Sequence, residues 1–237
     1  KPDWTAGHSL GEYTACVAAG AIGFRDAVRL VHLRGRLMFE AGQERPGTMA
    51  ALLGVDREAA GRLCAAVAGA GIVVPANLNA PGQVVISGER AAVEAAAAAA
   101  PDFGAKKVVL LEVSGAFHSP LMESAARGLA EALAATDIRD ARCPVVANVS
   151  AAPVQRAEEI RSALARQVLG AVRWEESMRF LLERGVDRFV EAGTGKVLRG
   201  LLRSIERSAA SWNVEDPATL AAACDELGVG RPAPEGV

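Results

Sequence analysis

The chain has 237 residues, 51% hydrophobic and 23% charged, with a formal net charge of −2, the balance of an ordinary globular protein rather than a disordered chain or a coiled coil. Basic and acidic residues are interspersed, which excludes the concentrated basic stripe that nucleic-acid binding by counterion release demands. The apolar run at 95–100 is far short of the roughly 18 residues of a membrane span, and Glu94 and Pro101 bound it.

Trp4-Thr5-Ala6 predicts a strand end and Glu12 onward a helix start, with Gly7-His8-Ser9-Leu10-Gly11 between them. That is the nucleophile-elbow pattern G-x-S-x-G, whose glycines let a strand turn sharply into a helix and expose the serine. The helix start also offers the Leu10 N–H as a donor to an oxyanion. A helix over 25–42 follows, its apolar stripe running Ala27, Leu30, Val31, Leu37, Met38 and Ala41. Arg34 falls in the middle of that stripe, so its guanidinium faces inward and requires an anion. Two anions fit: an internal carboxylate such as Glu12, or the carboxylate of a substrate held by the arginine fork.

Residues 44–114 read as a separate unit: strands at 49–55, 72–78, 83–87 and 107–113, helices at 57–69 and 90–100, and a turn at Asn79-Ala80-Pro81-Gly82. The order β-α-β-β-α-β predicts an inserted ferredoxin-like subdomain. After it comes Ser114-Gly115-Ala116-Phe117, then His118, then Ser119 and Pro120 in the positions of a helix cap and first turn. Of three histidines, His8 adjoins Ser9 and points away from it, and His32 lies among Arg29, Leu33 and Arg36 on a solvated face. His118, on a strand-to-helix loop, is placed to be the base a serine nucleophile needs, though a structural loop histidine fits the same position.

Val145-Val146-Ala147 and Arg188-Phe189-Val190 predict buried parallel strands, and helices are predicted at 156–169, 174–184, 196–205 and 217–227. Together they suggest a doubly wound sheet in a large α/β domain of residues 1–43 and 115–237. Gly193-Thr194-Gly195-Lys196 resembles the end of a phosphate loop. Val190 and Val197 stand where glycine and a magnesium-binding hydroxyl belong, so it reads as a strand–helix turn. Cys16, Cys64, Cys143 and Cys224 form no C-x-x-C pair and no metal spacing, consistent with reduced thiols in a cytoplasm.

Several motifs occur in register: Gly7-His8-Ser9-Leu10-Gly11-Glu12-Tyr13, Arg34-Gly35, Asn79-x-Pro81-Gly82-Gln83-Val84-Val85-Ile86-Ser87-Gly88, Gly115-Ala116-Phe117-His118-Ser119 and Gly193-x-Gly195-Lys196-Val197-Leu198. In that order the chain resembles the malonyl-CoA:acyl carrier protein transacylase family, which includes the acyltransferase domains of polyketide and fatty acid synthases. The resemblance implies a hydrolase-like α/β domain with an inserted ferredoxin-like subdomain. It implies malonyl transfer from malonyl-CoA to an acyl carrier protein, in fatty acid biosynthesis, by a cytoplasmic monomer with no metal, cofactor, nucleic acid or membrane involved.

Residue by residue, the resemblance implies Ser9 as nucleophile, His118 as base, the Gln167 carbonyl as the group that orients it, and the Leu10 N–H as oxyanion donor. Arg34 then pairs with the malonyl carboxylate, and Phe117, His8 and Asn79 belong to the substrate site. The family's Gly-Gln-Gly segment has no counterpart here, and a start at Lys1 reads as a fragment lacking the first part of the large domain. For the acidic carrier protein, Lys106-Lys107 and the series Arg199, Arg203, Arg207, spaced by four on one predicted helix face, are the basic candidates, with solvated surface charge as the plain alternative. A serine esterase or thioesterase would share the elbow but needs an acid behind His118 and no inward arginine. A non-catalytic fragment or assembly domain is the remaining alternative.

Overall fold

The computed structural model describes residues 1–230. It is an α/β protein of two compact units, Lys1–Phe180 and the remainder from Leu181. The elements in chain order are β1 (Thr5–Ala6), α1 (Gly11–Ala18), α2 (Phe24–Glu44), β2 (Gly47–Leu53), α3 (Arg57–Ala66), β3 (Val73–Ala80), β4 (Gln83–Glu89), α4 (Arg90–Ala99), β5 (Lys107–Leu111) and α5 (Glu123–Ala135). Then come β6 (Val145–Ala147), β7 (Ala152–Val154), α6 (Ala157–Gln167), α7 (Trp174–Glu183), β8 (Arg188–Ala192), α8 (Val197–Ile205), β9 (Ala210–Val214) and α9 (Pro217–Leu227).

In the first unit, β1 pairs in parallel with β6, Thr5 opposite Val145 and Ala6 opposite Val146. β6 is buried throughout, as an all-Val/Ala strand between helices should be. β7 returns antiparallel on β6 through residues 148–151, a connection far too short for the dozen or more residues of a parallel crossover. Where one doubly wound sheet is expected, the strands form, among the described residues, separate ladders: β1-β6-β7 here and β8-β9 in the second unit. Around the first ladder, α1, α2, α5 and α6 bury Tyr13, Leu30, Leu121, Leu129, Leu133, Ile160 and Leu164 in one cluster. Each leucine or isoleucine so buried contributes roughly 1.5–3 kcal/mol.

Residues 47–111 build a four-stranded antiparallel sheet in the order β3-β4-β2-β5, with α3 and α4 between strands as the β-α-β-β-α-β order predicts. Leu52, Leu63, Ile86 and Val93 fill its core. The hairpin turn contracts to Pro81-Gly82, Gly82 taking the left-handed φ of 70° that proline followed by glycine supplies in a type II turn. Asn79 consequently belongs to strand β3 rather than to the turn. β3 is also bridged to the segment after α6: the Leu78 N–H donates to the Val172 carbonyl at 2.9 Å and the Val172 N–H to the Ala76 carbonyl at 2.8 Å. The strand carrying Asn79 and the loop beyond Gln167 are thereby fixed to each other.

The second unit pairs β8 and β9 in parallel around α8. β8 corrects the sequence expectation, because Arg188 and Val190 are exposed and Phe189 is half-buried. The Gly193–Gly195 turn is held by the Asn213 amide, which donates to the Gly195 carbonyl at 2.6 Å, so it is the strand–helix turn that its sequence implies. α8 ends at Ile205, which leaves Arg207 off the helix face that Arg199 and Arg203 share.

Candidate active site

The elbow is built as its glycine spacing predicts. β1 ends at Ala6, α1 begins at Gly11, and Ser9 between them adopts φ 51°. A Cβ on Gly7 would sit 1.9 Å from the Gly11 carbonyl oxygen, so no other residue fits there. The two glycines are not equivalent, for a Cβ on Gly11 meets nothing. The turn is closed by the Gly11 N–H on the His8 carbonyl and the Glu12 N–H on the Ser9 carbonyl, at 2.9 and 3.1 Å.

His118 arrives from the opposite direction in sequence. Gly42 at the end of α2 lies against the loop before it, where a Cβ would be 2.3 Å from the Ser114 carbonyl oxygen. Ser119 then caps the following turn, its Oγ accepting from the Leu121 N–H. Between them His118 is held at φ 58°, a second left-handed residue in the same site. Its Nδ1 lies 2.9 Å from the Gln167 carbonyl and 3.1 Å from that of Gly170. Two acceptors require Nδ1 to carry the proton, so Nε2 is the free base, and it lies 2.8 Å from Ser9 Oγ. Burial, with a smaller contribution from the Arg34 charge, pushes the imidazole pKa down to about 4. The ring is neutral at pH 7, the state a base requires.

Arg34 is 5% exposed on the inner face of α2, as its place in the apolar stripe predicts. Its Nη2 donates to Ser9 Oγ at 2.9 Å and to Gln167 Oε1 at 3.1 Å, and its guanidinium lies 5.9 Å from the Tyr13 ring centroid. The internal carboxylate anticipated as its partner makes no hydrogen bond to it. Glu12 Oε2 instead accepts from Gln167 Nε2 at 2.6 Å and from the Asn148 N–H at 3.3 Å. Among the described residues the guanidinium forms no direct ion pair with a carboxylate; burial disfavours its charge, opposed by Tyr13 beside it and by Glu12 through charge alone. A buried cation in that state is matched to an anion arriving from outside.

His8 turns away from Ser9 and reaches Asn79 Oδ1 at 2.8 Å, with its ring 5.6 Å from that of Trp174. Phe117 is half-buried against the cores beneath the site. Leu10 precedes the first residue of α1 with its side chain half-exposed. Lys106 and Lys107 are exposed at the start of β5, the outer strand of the four-stranded sheet, outside this hydrogen-bonded cluster. Arg199 and Arg203 are exposed on α8 of the second unit. Among the described residues no group of three or more His, Cys, Asp or Glu could hold a metal ion.

Sequence reasoning passed over Gly170, Asn148 and the side chain of Gln167. Asn148 had one readable signal, a polar residue at the carboxyl end of a parallel strand, where α/β proteins place ligand groups.

The acyl transferase domain family profile matches residues 1–220. The malonyl CoA-acyl carrier protein transacylase of Bacillus subtilis (strain 168) is 48% identical over 227 residues, which are 95% of this chain and 72% of that protein. Its counterpart in Escherichia coli (strain K12) is 43% identical over 224 residues, 94% of this chain and 72% of that protein. Among solved structures, a malonyl-transacylase in complex with a type II PKS acyl-carrier protein superposes with a TM-score of 0.92 at 46% identity, over 95% of this chain and 73% of that one. The acyl-carrier-protein S-malonyltransferase of Burkholderia pseudomallei superposes with a TM-score of 0.91 at 44% identity, over 94% of this chain and 73% of that one. By the family match and by these identities, the chain belongs to the acyl transferase domain family, among the malonyl CoA-acyl carrier protein transacylases.

Proposed function

We propose that this chain moves a malonyl group from malonyl-CoA to the phosphopantetheine thiol of an acyl carrier protein through a malonyl ester on Ser9, in fatty acid biosynthesis. The observation that carries the reading is the continuous set of contacts from the Gln167 carbonyl through His118 and Ser9 to the buried, anion-seeking guanidinium of Arg34. His118 Nε2 takes the Ser9 hydroxyl proton as Oγ attacks the thioester carbonyl. The negative charge on the carbonyl oxygen meets the Leu10 N–H at the start of α1. As the tetrahedral intermediate collapses, the carbon–sulfur bond breaks and the CoA sulfur leaves with the proton from His118. The carrier thiol then gives its proton to His118 and attacks the malonyl ester; as that second tetrahedral intermediate collapses, the carbon–oxygen bond to Ser9 breaks and Oγ takes the proton back from His118. Arg34 binds the malonyl carboxylate as a planar fork, with Phe117, His8 and Asn79 around the acyl group. The scheme uses no metal and no cofactor, because CoA is part of the substrate.

The backbone carbonyls behind His118 favour transfer over an esterase reading, which needs a carboxylate at that position. A polyketide carrier protein as acceptor is the second reading, favoured by the likeness to the transacylase solved with such a carrier. The wider reading is a cytoplasmic monomer with no nucleic-acid or membrane role, supported by four free, buried cysteines and the interspersed charge. It includes residues 44–114 as a ferredoxin-like subdomain inserted into a hydrolase-like domain of residues 1–43 and 115–237. The sheet order β3-β4-β2-β5 supports that insertion.

Intact mass after mixing with malonyl-CoA tests the proposal. One malonyl adduct is expected on the wild type, none on Ser9→Ala, and its loss on adding phosphopantetheinylated carrier protein. A wild type without adduct, or an adduct that survives in Ser9→Ala, overturns it.

A further inference from the structure

The residue that holds the elbow shut is remote from it in sequence. Asn148 follows β6, whose register sets Val146 opposite Ala6, so its side chain comes up beside Gly7 and Ser9. Both ends of its amide are spent on the turn: Oδ1 accepts the Ser9 N–H at 2.8 Å, and Nδ2 donates to the Gly7 carbonyl at 2.7 Å. The orientation of the amide follows from the partners, since an N–H must face its oxygen and a carbonyl its nitrogen. Asn148 is 1% exposed and is itself fixed, its N–H on Glu12 Oε2 at 3.3 Å and its carbonyl accepting the Arg173 N–H at 3.0 Å.

Ser9 is in a conformation that a non-glycine residue adopts only when its surroundings impose it. Relaxation to a negative φ would swing Oγ away from a histidine that is itself immobilised by two carbonyls. An ionised aspartate lacks the donor for Gly7, and glutamine is one methylene too long, so a short amide is the side chain that bridges both ends. We propose, on the reading of Ser9 as the nucleophile, that Asn148 is a positioning residue. It clamps the elbow across Gly7 and Ser9, and so aims Oγ at His118 without touching the substrate.

The test is a double-mutant cycle on the first-turnover rate of Ser9 malonylation, followed by intact mass with the folded fraction checked by circular dichroism. Asn148→Ala is expected to slow acylation about 10- to 10²-fold, with the concentration dependence on malonyl-CoA changed less than about twofold. In a His118→Ala background the same substitution is expected to cost less than about threefold, because aim toward an absent base has no value. An Asn148→Ala rate within twofold of wild type, or an equal loss in both backgrounds, overturns the proposal. Should Asn148→Ala not fold, the cycle is run with Asn148→Asp, which keeps an oxygen facing the Ser9 N–H and loses the donor to Gly7 when ionised. The same coupling to His118 is expected, and its absence is equally decisive. A wild type that takes no malonyl adduct refutes the assignment of Ser9, whereas an adducted wild type with an indifferent Asn148 refutes only the clamp.

Discussion

Arg34 Nη2 lies 2.9 Å from the Ser9 Oγ, the same atom that lies 2.8 Å from His118 Nε2. The hydroxyl therefore donates to a neutral base and accepts from a cation at once. The cation favours the negative charge that grows on Oγ as its proton leaves, and disfavours a positive charge on the ring, which is one reason the His118 pKa is depressed. Binding an acyl carboxylate asks Arg34 to share or surrender a bond that it now spends on Ser9 and Gln167.

Arg34→Ala should raise the ratio of acetyl to malonyl transfer by about ten- to a hundredfold, because the malonyl carboxylate would be left unpaired in a dry site. Both acyl-CoA donors should also be used more slowly, since Ser9 loses its neighbouring cation. Arg34→Lys should restore the charge but little of the ratio, for lack of the planar fork. Competition between acetyl-CoA and malonyl-CoA read by intact mass decides this, and an unaltered ratio would show that Arg34 does not read the acyl group.

The depressed pKa of His118 sets where the rate must fail. The ring is unprotonated above about pH 4, so first-turnover acylation should stay level from neutrality down to about pH 5 and fall tenfold per pH unit below about 4. His118→Ala should lower the rate roughly 10²- to 10⁴-fold and remove that acid limb. A limb near pH 6.5 in the wild type would mean that the ring is solvated in the working enzyme.

The distribution of what could be read beforehand follows from the range of the interactions. Ser9, Arg34 and His118 announce themselves locally, through a glycine spacing, a charge interrupting an apolar stripe and a loop histidine before a capped helix turn. The boundaries of α2, α4, α8 and α9 follow from periodicity and caps to within one or two residues. Gly170 carries no local mark and Asn148 only its place at the end of a strand, because their partners lie 52 and 139 residues away, and the side chain of Gln167 looked like any polar residue in a helix. The burial expected of β8 failed because Arg188-Phe189-Val190 has the composition of an inner strand, while composition does not say which layers cover it.

Glu12 provides a stability test independent of catalysis. Burial raises its pKa to about 7, from 4.5 in the unfolded chain. The folded state therefore holds a proton that the unfolded state has lost, and this contribution is complete below about pH 4.5 and lost as pH rises through about 7. His118 acts in the opposite sense: its depressed pKa makes stability fall as pH drops from about 6.5 to about 4. Glu12→Gln removes only the first of these. The difference in unfolding free energy, Glu12→Gln minus wild type, should climb between pH 4.5 and 7 by an amount on the order of 3 kcal/mol and then level off, read from denaturant unfolding at each pH. A difference that is flat across that window would show that Glu12 titrates normally.

Carrier-protein encounter is expected to depend on charge at the start of β5. Acyl carrier proteins are acidic and this chain has a net charge of only −2, so attraction has to come from local clusters rather than from the molecule as a whole. Lys106 and Lys107 are the only adjacent lysines in the sequence, both exposed, and the Lys106 N–H is fixed to the Leu53 carbonyl at 2.7 Å, so the pair sits on rigid backbone. Exposed charges act mainly on association rate and little on the bound state. Reversing both, Lys106→Glu with Lys107→Glu, should raise KM for carrier protein about three- to tenfold and flatten its dependence on salt, because screening would have less attraction to remove. Self-malonylation from malonyl-CoA should be unchanged, since neither lysine belongs to the Ser9 cluster. Steady-state transfer at two ionic strengths measures both effects. Carrier-protein kinetics identical to wild type would exclude the lysine pair and make Arg199→Glu with Arg203→Glu on α8 the next variant to test.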